Sequence, residues 1–140
     1  MDVPRRWNPP SVAPPLGRYS HLVEVPPGHR LVFVSGQVGN LPDGRMAGPD
    51  ARSQTEQALA NIETLLASEE ATPAHLVRLQ SFLAGPEHLA GFRDGLASAY
   101  ARWFPGASDG FPGHSLLVVQ ALAGPEICVE VEGWFAVPPD

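Results

Sequence analysis

Apolar and polar positions along this chain switch between two periods, one near two residues and one near three and a half. Residues 30–37 read RLVFVSGQ, and the unbroken run Leu31, Val32, Phe33 and Val34 predicts a strand buried on both faces. The period then lengthens. Thr55, Ala58, Leu59, Ile62, Leu65 and Leu66 fall on one stripe at three- and four-residue spacing, a helix that Asp50 can cap. Residues 75–83 (HLVRLQSFL) return to a strand, and Gly85-Pro86 ends it. A second helix begins near Glu87 and places Leu89, Phe92, Leu96, Tyr100 and Trp103 on one face. Residues 115–122 and 127–137 are the last two strands, joined at Gly124-Pro125. In the final strand Ile127, Val129 and Val131 share one side, and Cys128, Glu130 and Glu132 share the other. A short β-prone stretch at 19–25 precedes the turn Pro26-Pro27-Gly28, Pro42-Asp43-Gly44 marks another turn, and 105–113 is a loop.

This order predicts an α+β domain over 18–140, a mixed sheet of about six strands with two helices on one face. Nothing in the sequence is left to cover the opposite, apolar face, so self-association is expected. Residues 1–17 carry five prolines and read as an extended, partly polyproline arm, mobile over Met1–Arg6.

Composition narrows the chemistry. The net charge is −6, and no basic cluster follows Arg5-Arg6, which argues against nucleic-acid binding. All nine basic residues are arginine, so no lysine exists to form a Schiff base, anchor pyridoxal phosphate or complete a Walker A loop. The single cysteine, Cys128, excludes an internal disulfide and a cysteine-rich zinc site. No two of the five histidines have metal-ligand spacing, so no metal is expected. No apolar run is long enough to span a membrane, and the first ten residues lack a secretory h-region; the expected location is the cytoplasm.

Three places could carry chemistry, each with a plainer alternative. Glu130 and Glu132 put two carboxylates side by side on one strand face, a proton-exchanging pair or a solvated polar face. Ser35-Gly36 ends the most apolar strand, where glycine either admits a ligand to the backbone or makes a β-bulge. His114 opens a strand after a flexible loop, as an anion or proton handler or as an ordinary loop histidine.

Five segments in order resemble the RidA/YjgF family of reactive-intermediate deaminases, also known as L-PSP-type proteins. They are Gly17-Arg18-Tyr19-Ser20 (family G-P-Y-S), Ser35-Gly36-Gln37 (S-G-Q), Gln54 with Gln57-Ala58-Leu59-Ala60-Asn61-Ile62 (Q-x-x-Q-A-L-x-N-I/L), Pro112-Gly113-His114-Ser115 (P-A-R-S) and Val129-Glu130-Val131-Glu132 (V/I-E-I/V-E). The resemblance runs from about Pro14 to Val137. It implies a chorismate-mutase-like fold, a homotrimer, ligand clefts between subunits, and cofactor-free hydrolysis of imines or enamines such as 2-aminoacrylate. It implies Glu130 as the residue that positions water, with Tyr19, Ser35 and Gly36 lining the cleft. It also implies an arginine that clamps the substrate carboxylate, and here that residue is His114. Histidine lacks the bidentate, permanently charged fork, so His114 is expected as anion-binder or acid and Arg18 as a substitute cation. Alternation along a strand would point Arg18 away from Tyr19. The expected partner is a small-molecule substrate, with no nucleic acid and no membrane. The alternatives are a non-catalytic ligand-binding or regulatory trimer and a specialised biosynthetic enzyme doing other acid–base chemistry.

Overall fold

The structure, a computed structural model, describes residues 2–107 and 109–140; Met1 of the N-terminal arm and Ser108 of the 105–113 loop lie outside it. Its elements follow in order as β1 (Arg5–Trp7), β2 (Leu22–Glu24), β3 (Arg30–Gln37), α1 (Ala51–Ser68), β4 (Leu76–Leu83), α2 (Leu89–Trp103), β5 (Gly113–Val118) and β6 (Val129–Val137). These six strands and two helices make an α+β fold. Four strands form one mixed sheet in the order β3-β6-β4-β5, and β1 and β2 pair in a separate antiparallel ribbon. Within the sheet β6 runs antiparallel to both β3 and β4, while β4 and β5 are parallel.

Alternation in β6 sets the two faces of the sheet. Val129, Val131 and Phe135 are buried, whereas Glu130 is half-buried and Trp134 exposed. Leu79 and Leu83 of β4 and Val34 of β3 join the buried side. The helices supply the rest of this core. Asp50 caps α1, accepting a hydrogen bond from the Ser53 N–H at 2.9 Å. Thr55, Ala58, Leu59, Ile62 and Leu66 are buried as their spacing predicts; Leu65 falls off the stripe and is exposed. From α2 come Phe92, Leu96, Ala99 and Tyr100. Each large apolar side chain removed from water here contributes about 1.5–3 kcal/mol. The helices cross closely because a Cβ on Gly95 would lie 2.8 Å from Thr55 Cβ.

The run at Leu31–Val34 is not buried on both faces. Leu31 is 56% and Phe33 45% exposed, because only alternate residues of β3 meet the helices. Phe33 packs on Trp134 with ring centroids 4.9 Å apart, and Leu117 of β5 lies on the same outer, helix-free face.

The N-terminal segment also differs from a mobile arm. Arg6 is tied down: its guanidinium donates to the carbonyls of Pro73 (3.3 Å), Ala74 (3.1 Å), Leu76 (2.7 Å) and Gly110 (3.3 Å) and packs over Phe104. The proline-rich loop behind it is closed by the Asn8 side chain, which accepts from the His21 N–H at 2.7 Å.

The glutamine–asparagine motif of α1 is structural. Buried Gln54 donates to the carbonyls of Gly48 and Glu126, both at 2.9 Å, and accepts from the Cys128 N–H at 2.8 Å. Asn61 donates to the carbonyls of Val38 (3.2 Å) and Asn40 (3.0 Å) and accepts from Gln57. These side chains hold the loops that follow β3 and precede β6, which fixes how those two strands meet. Among the described residues no helix is long and apolar enough to cross a membrane.

Candidate functional site

The pairing of β3 with β6 slips by one residue at its end. Val34 opposes Gly133 and Gln37 opposes Val131, so Ser35 and Gly36 together face one residue, Glu132. This is a β-bulge, and it re-aims the backbone beside Glu130. The Glu130 side chain lies over the bare Gly36 backbone; a Cβ there would come 2.6 Å from the Glu130 Cδ and closer still to Oε2. Gly36 is thus both a bulge residue and a point of close approach, and the group that approaches is the chain's own carboxylate. Ser35 and Gly36 are exposed and Glu130 is half-buried, all at the outer sheet face. Glu132 shares that face, opposite Gln80, while Glu130 lies opposite Phe82.

A second constellation lies at the β5 edge. A cleft of about 550 Å³ is lined by Leu16, Gly17, Arg18, Tyr19, Arg93, Leu96, His114 and Leu116. The loop before β2 forms one wall, with the Tyr19 Oη accepting from the Leu16 N–H at 3.2 Å. Residues 18 and 19 lie in that loop and not in a strand, so alternation does not apply and Arg18 and Tyr19 face the same cleft. Arg93 of α2 lines it too, although its position beside the apolar stripe, next to Phe92, did not single it out.

His114 is held from behind. Its Nε2 hydrogen-bonds the buried Ser81 Oγ at 2.8 Å, and its ring meets Phe92 edge-on. Burial, helped by the nearby Arg78 guanidinium, pushes its pKa down to about 4 from the ordinary 6.5. The imidazole is therefore neutral near pH 7. It offers a hydrogen bond in the cleft but no positive charge for an anion and no acidic proton of an imidazolium.

The sequence-selected residues form two groups. Ser35, Gly36 and Glu130 lie on the outer face. His114 shares the helix side with its opposite number Leu79, and Arg18 and Tyr19 join it in the cleft. Leu79 and Phe82, three residues apart on β4, point to opposite faces and carry His114 and Glu130 with them. A single copy of the chain does not bring Glu130 and His114 together.

The chain resembles known proteins along nearly its whole length. A family model described as Endoribonuclease L-PSP matches residues 10–137. Protein HMF1 of Saccharomyces cerevisiae is 31% identical over 104 residues, covering 74% of this chain and 73% of that protein. The chloroplastic Reactive Intermediate Deaminase A of Arabidopsis thaliana is 33% identical over 108 residues, 76% of this chain but only 52% of the longer plant protein. Among solved structures, YyfB of Yersinia pestis, a Rid-family protein of unknown function, superposes with a TM-score of 0.81 at 32% identity, covering 96% of this chain and 98% of that one. With the motifs, the mixed sheet and its two helices all in family order, the chain belongs to the RidA/YjgF family, the L-PSP endoribonuclease group of that family model.

Proposed function

We propose that this protein is a cofactor-free hydrolase of a small imine or enamine, working in clefts between the subunits of a homotrimer. The observation that carries the reading is the Glu130 carboxylate laid over the bare Gly36 backbone on the outer sheet face. The glycine leaves room for the carboxylate at this position, and a carboxylate so placed can take a proton from water. An imine carbon is already electrophilic. Glu130 removes a proton as the water oxygen bonds to that carbon and returns it to the nitrogen, giving a carbinolamine; the hydroxyl proton then passes to the nitrogen, again by way of Glu130, as the carbon–nitrogen bond breaks, leaving a carbonyl compound and ammonia. The relative named as a reactive intermediate deaminase supports this chemistry.

The trimer explains why one copy holds two half-sites. The exposed Leu31, Phe33, Leu117 and Trp134 make an apolar outer face of the kind that proteins bury against one another. Glu130, Ser35 and Gly36 of one copy would then complete the cleft that Arg18, Tyr19 and His114 line on its neighbour. A second reading, a ligand-binding trimer without turnover, draws on the neutral His114 in place of the clamping arginine.

The test is ammonia release from a panel of freshly generated imines, run on the wild type and on Glu130→Gln. Release that disappears in Glu130→Gln supports the hydrolase. Ligand binding with no release from any imine supports the second reading.

A further inference from the structure

The inward side of β4 is apolar except at one position. Leu76, Leu79 and Leu83 are fully buried there, and so is Ser81, whose cross-strand neighbours are Val131 on β6 and Leu116 on β5. A hydroxyl in such a place costs stability unless it is hydrogen-bonded. Among the described residues the Ser81 Oγ has one partner, His114 Nε2, at 2.8 Å. That contact fixes more than the position of the ring. A hydroxyl carries one proton, and Nε2 is the acceptor within its reach. Were Nε2 itself protonated, the hydroxyl hydrogen of Ser81 would be buried with nothing to accept it. The proton of the neutral ring therefore belongs on Nδ1. Nδ1 makes no hydrogen bond among the described residues and is not sealed from solvent, and the ring forms part of the cleft wall.

We infer that Ser81 is a positioning residue: it holds His114 as the Nδ1–H tautomer, so that the cleft meets its ligand there with a fixed, uncharged donor and takes a carbonyl-type oxygen at that point. The inference takes from the proposed function only that this cleft receives the substrate. Burial keeps the ring neutral, so the donor carries no charge of its own. In this tautomer Nδ1 donates and cannot accept, and an ammonium group, which only donates, finds no partner on it. An arginine in this place would hold two oxygens of a carboxylate, whereas a single N–H serves one lone pair. An ester, an amide or a ketone supplies that lone pair as well as an acid does. Whatever charge the rest of the ligand bears, residue 114 therefore selects by hydrogen bonding and not by charge. The substrate class this favours is an imine or enamine with a carbonyl group beside it, whose ester or amide is accepted along with its acid. On the reading that Glu130 of a neighbouring copy completes the cleft, acceptor and donor are divided between two copies: the carboxylate handles the proton of water and Nδ1–H holds the oxygen of the ligand.

Nitrogen-15 spectra of the histidine rings in the labelled wild-type protein at pH 7.5 test the tautomer, with His114→Gln identifying the signals. The wild type should show a protonated Nδ1 and a bare Nε2 at residue 114. Ser81→Ala should turn this single tautomer into a mixture, with thermal unfolding to check that the variant folds. Ser81→Cys, which keeps the shape but only a weak donor, serves the same purpose should Ser81→Ala fail to fold. Acetophenone then tests the donor, since the chain has no lysine to condense with a ketone. In the wild type it should move the Nδ1–H proton signal downfield and bind about fivefold more tightly than α-methylstyrene, which has the same shape and no oxygen. In Ser81→Ala that preference should shrink toward equality. A protonated Nε2 in the wild type, a tautomer unchanged by loss of the Ser81 hydroxyl, or equal binding of the two probes with Nδ1–H unmoved overturns the inference. A fixed tautomer and a ketone-sensitive Nδ1–H in a protein that releases no ammonia leave this inference standing while the hydrolase reading fails. Ammonia release by a protein whose His114 is protonated on Nε2 does the reverse.

Discussion

The Glu130 carboxylate occupies the volume that a Cβ on residue 36 would need, so the two positions are chemically one. Gly36→Ala should force the carboxylate aside. Turnover should fall at least about tenfold, and the same change added to Glu130→Gln should cost little more, because both remove one arrangement. A double-mutant cycle on ammonia release measures this, and additive losses would mean that Gly36 acts independently of Glu130.

Glu130→Gln by itself keeps shape and polarity and removes the proton acceptor. Turnover should drop by about 10²–10⁴-fold while the melting temperature holds. If Glu132→Gln produces that loss and Glu130→Gln does not, the neighbouring carboxylate is the working one.

His114 makes stability depend on pH in a stated direction. Its folded pKa, about 4, lies below the ordinary 6.5, so between those values the unfolded chain binds more protons. Stability contributed by the neutral buried ring is present above about pH 6.5 and is lost as pH falls toward 4, by up to about 3 kcal/mol. Urea unfolding at pH 7.5 and 4.5 should show the wild type losing more stability on acidification than His114→Gln. Equal losses would place the proton uptake on another group.

Arg6 is a half-buried cation held by four carbonyls. Burial lowers its pKa to about 10, still well above neutrality. Arg6→Ala should destabilise the fold by about 2–4 kcal/mol, since carbonyls lose their donors and the loop that walls the cleft loses its anchor. Arg6→Lys should recover part of this, as one ammonium cannot reach all four acceptors. Thermal unfolding of the two variants gives the ranking; equal destabilisation would show that packing over Phe104, and not the donors, is what matters.

Trp134→Glu places a charge on the outer face beside Phe33 without touching the helix-side core. The wild type should sediment at about three times 14.9 kDa and the variant as a smaller species that still folds. A monodisperse wild-type monomer would remove the shared cleft altogether.

Much of this was readable from periodicity. The alternation of Val129 and Val131 with Glu130 and Glu132 placed both carboxylates on the face opposite the two valines, which in the structure is the helix-free one, and Asp50 marked the first helix. The pairing of β1 with β2 was not readable, because three residues between prolines carry no period and Arg6 is fixed by carbonyls that only the fold assembles. The burial of β3 was over-read because a continuous apolar run looks the same whether or not a helix covers its second face. The neutral state of His114 was not legible, since it comes from burial, with Phe92 against the ring, and from the Arg78 guanidinium, both distant in sequence. Arg93 escaped because a cation at the border of a helix stripe looks like any solvated arginine until the loop carrying Arg18 is seen across from it.

The strand at the middle of the sheet is the last one in order. β6 pairs with β3 on one side and β4 on the other, and β3 has no other neighbour in the sheet. During synthesis the two helices and the parallel β4–β5 pair can form, but β3 must wait, apolar and unpaired, for residues made some hundred positions later. Pairings so distant in sequence slow folding and leave sticky edges open meanwhile. The protein's most dangerous moment is therefore its own birth: yield in a cell should respond to chaperones and to the speed of translation through the C-terminal strand more than to changes anywhere on the finished surface.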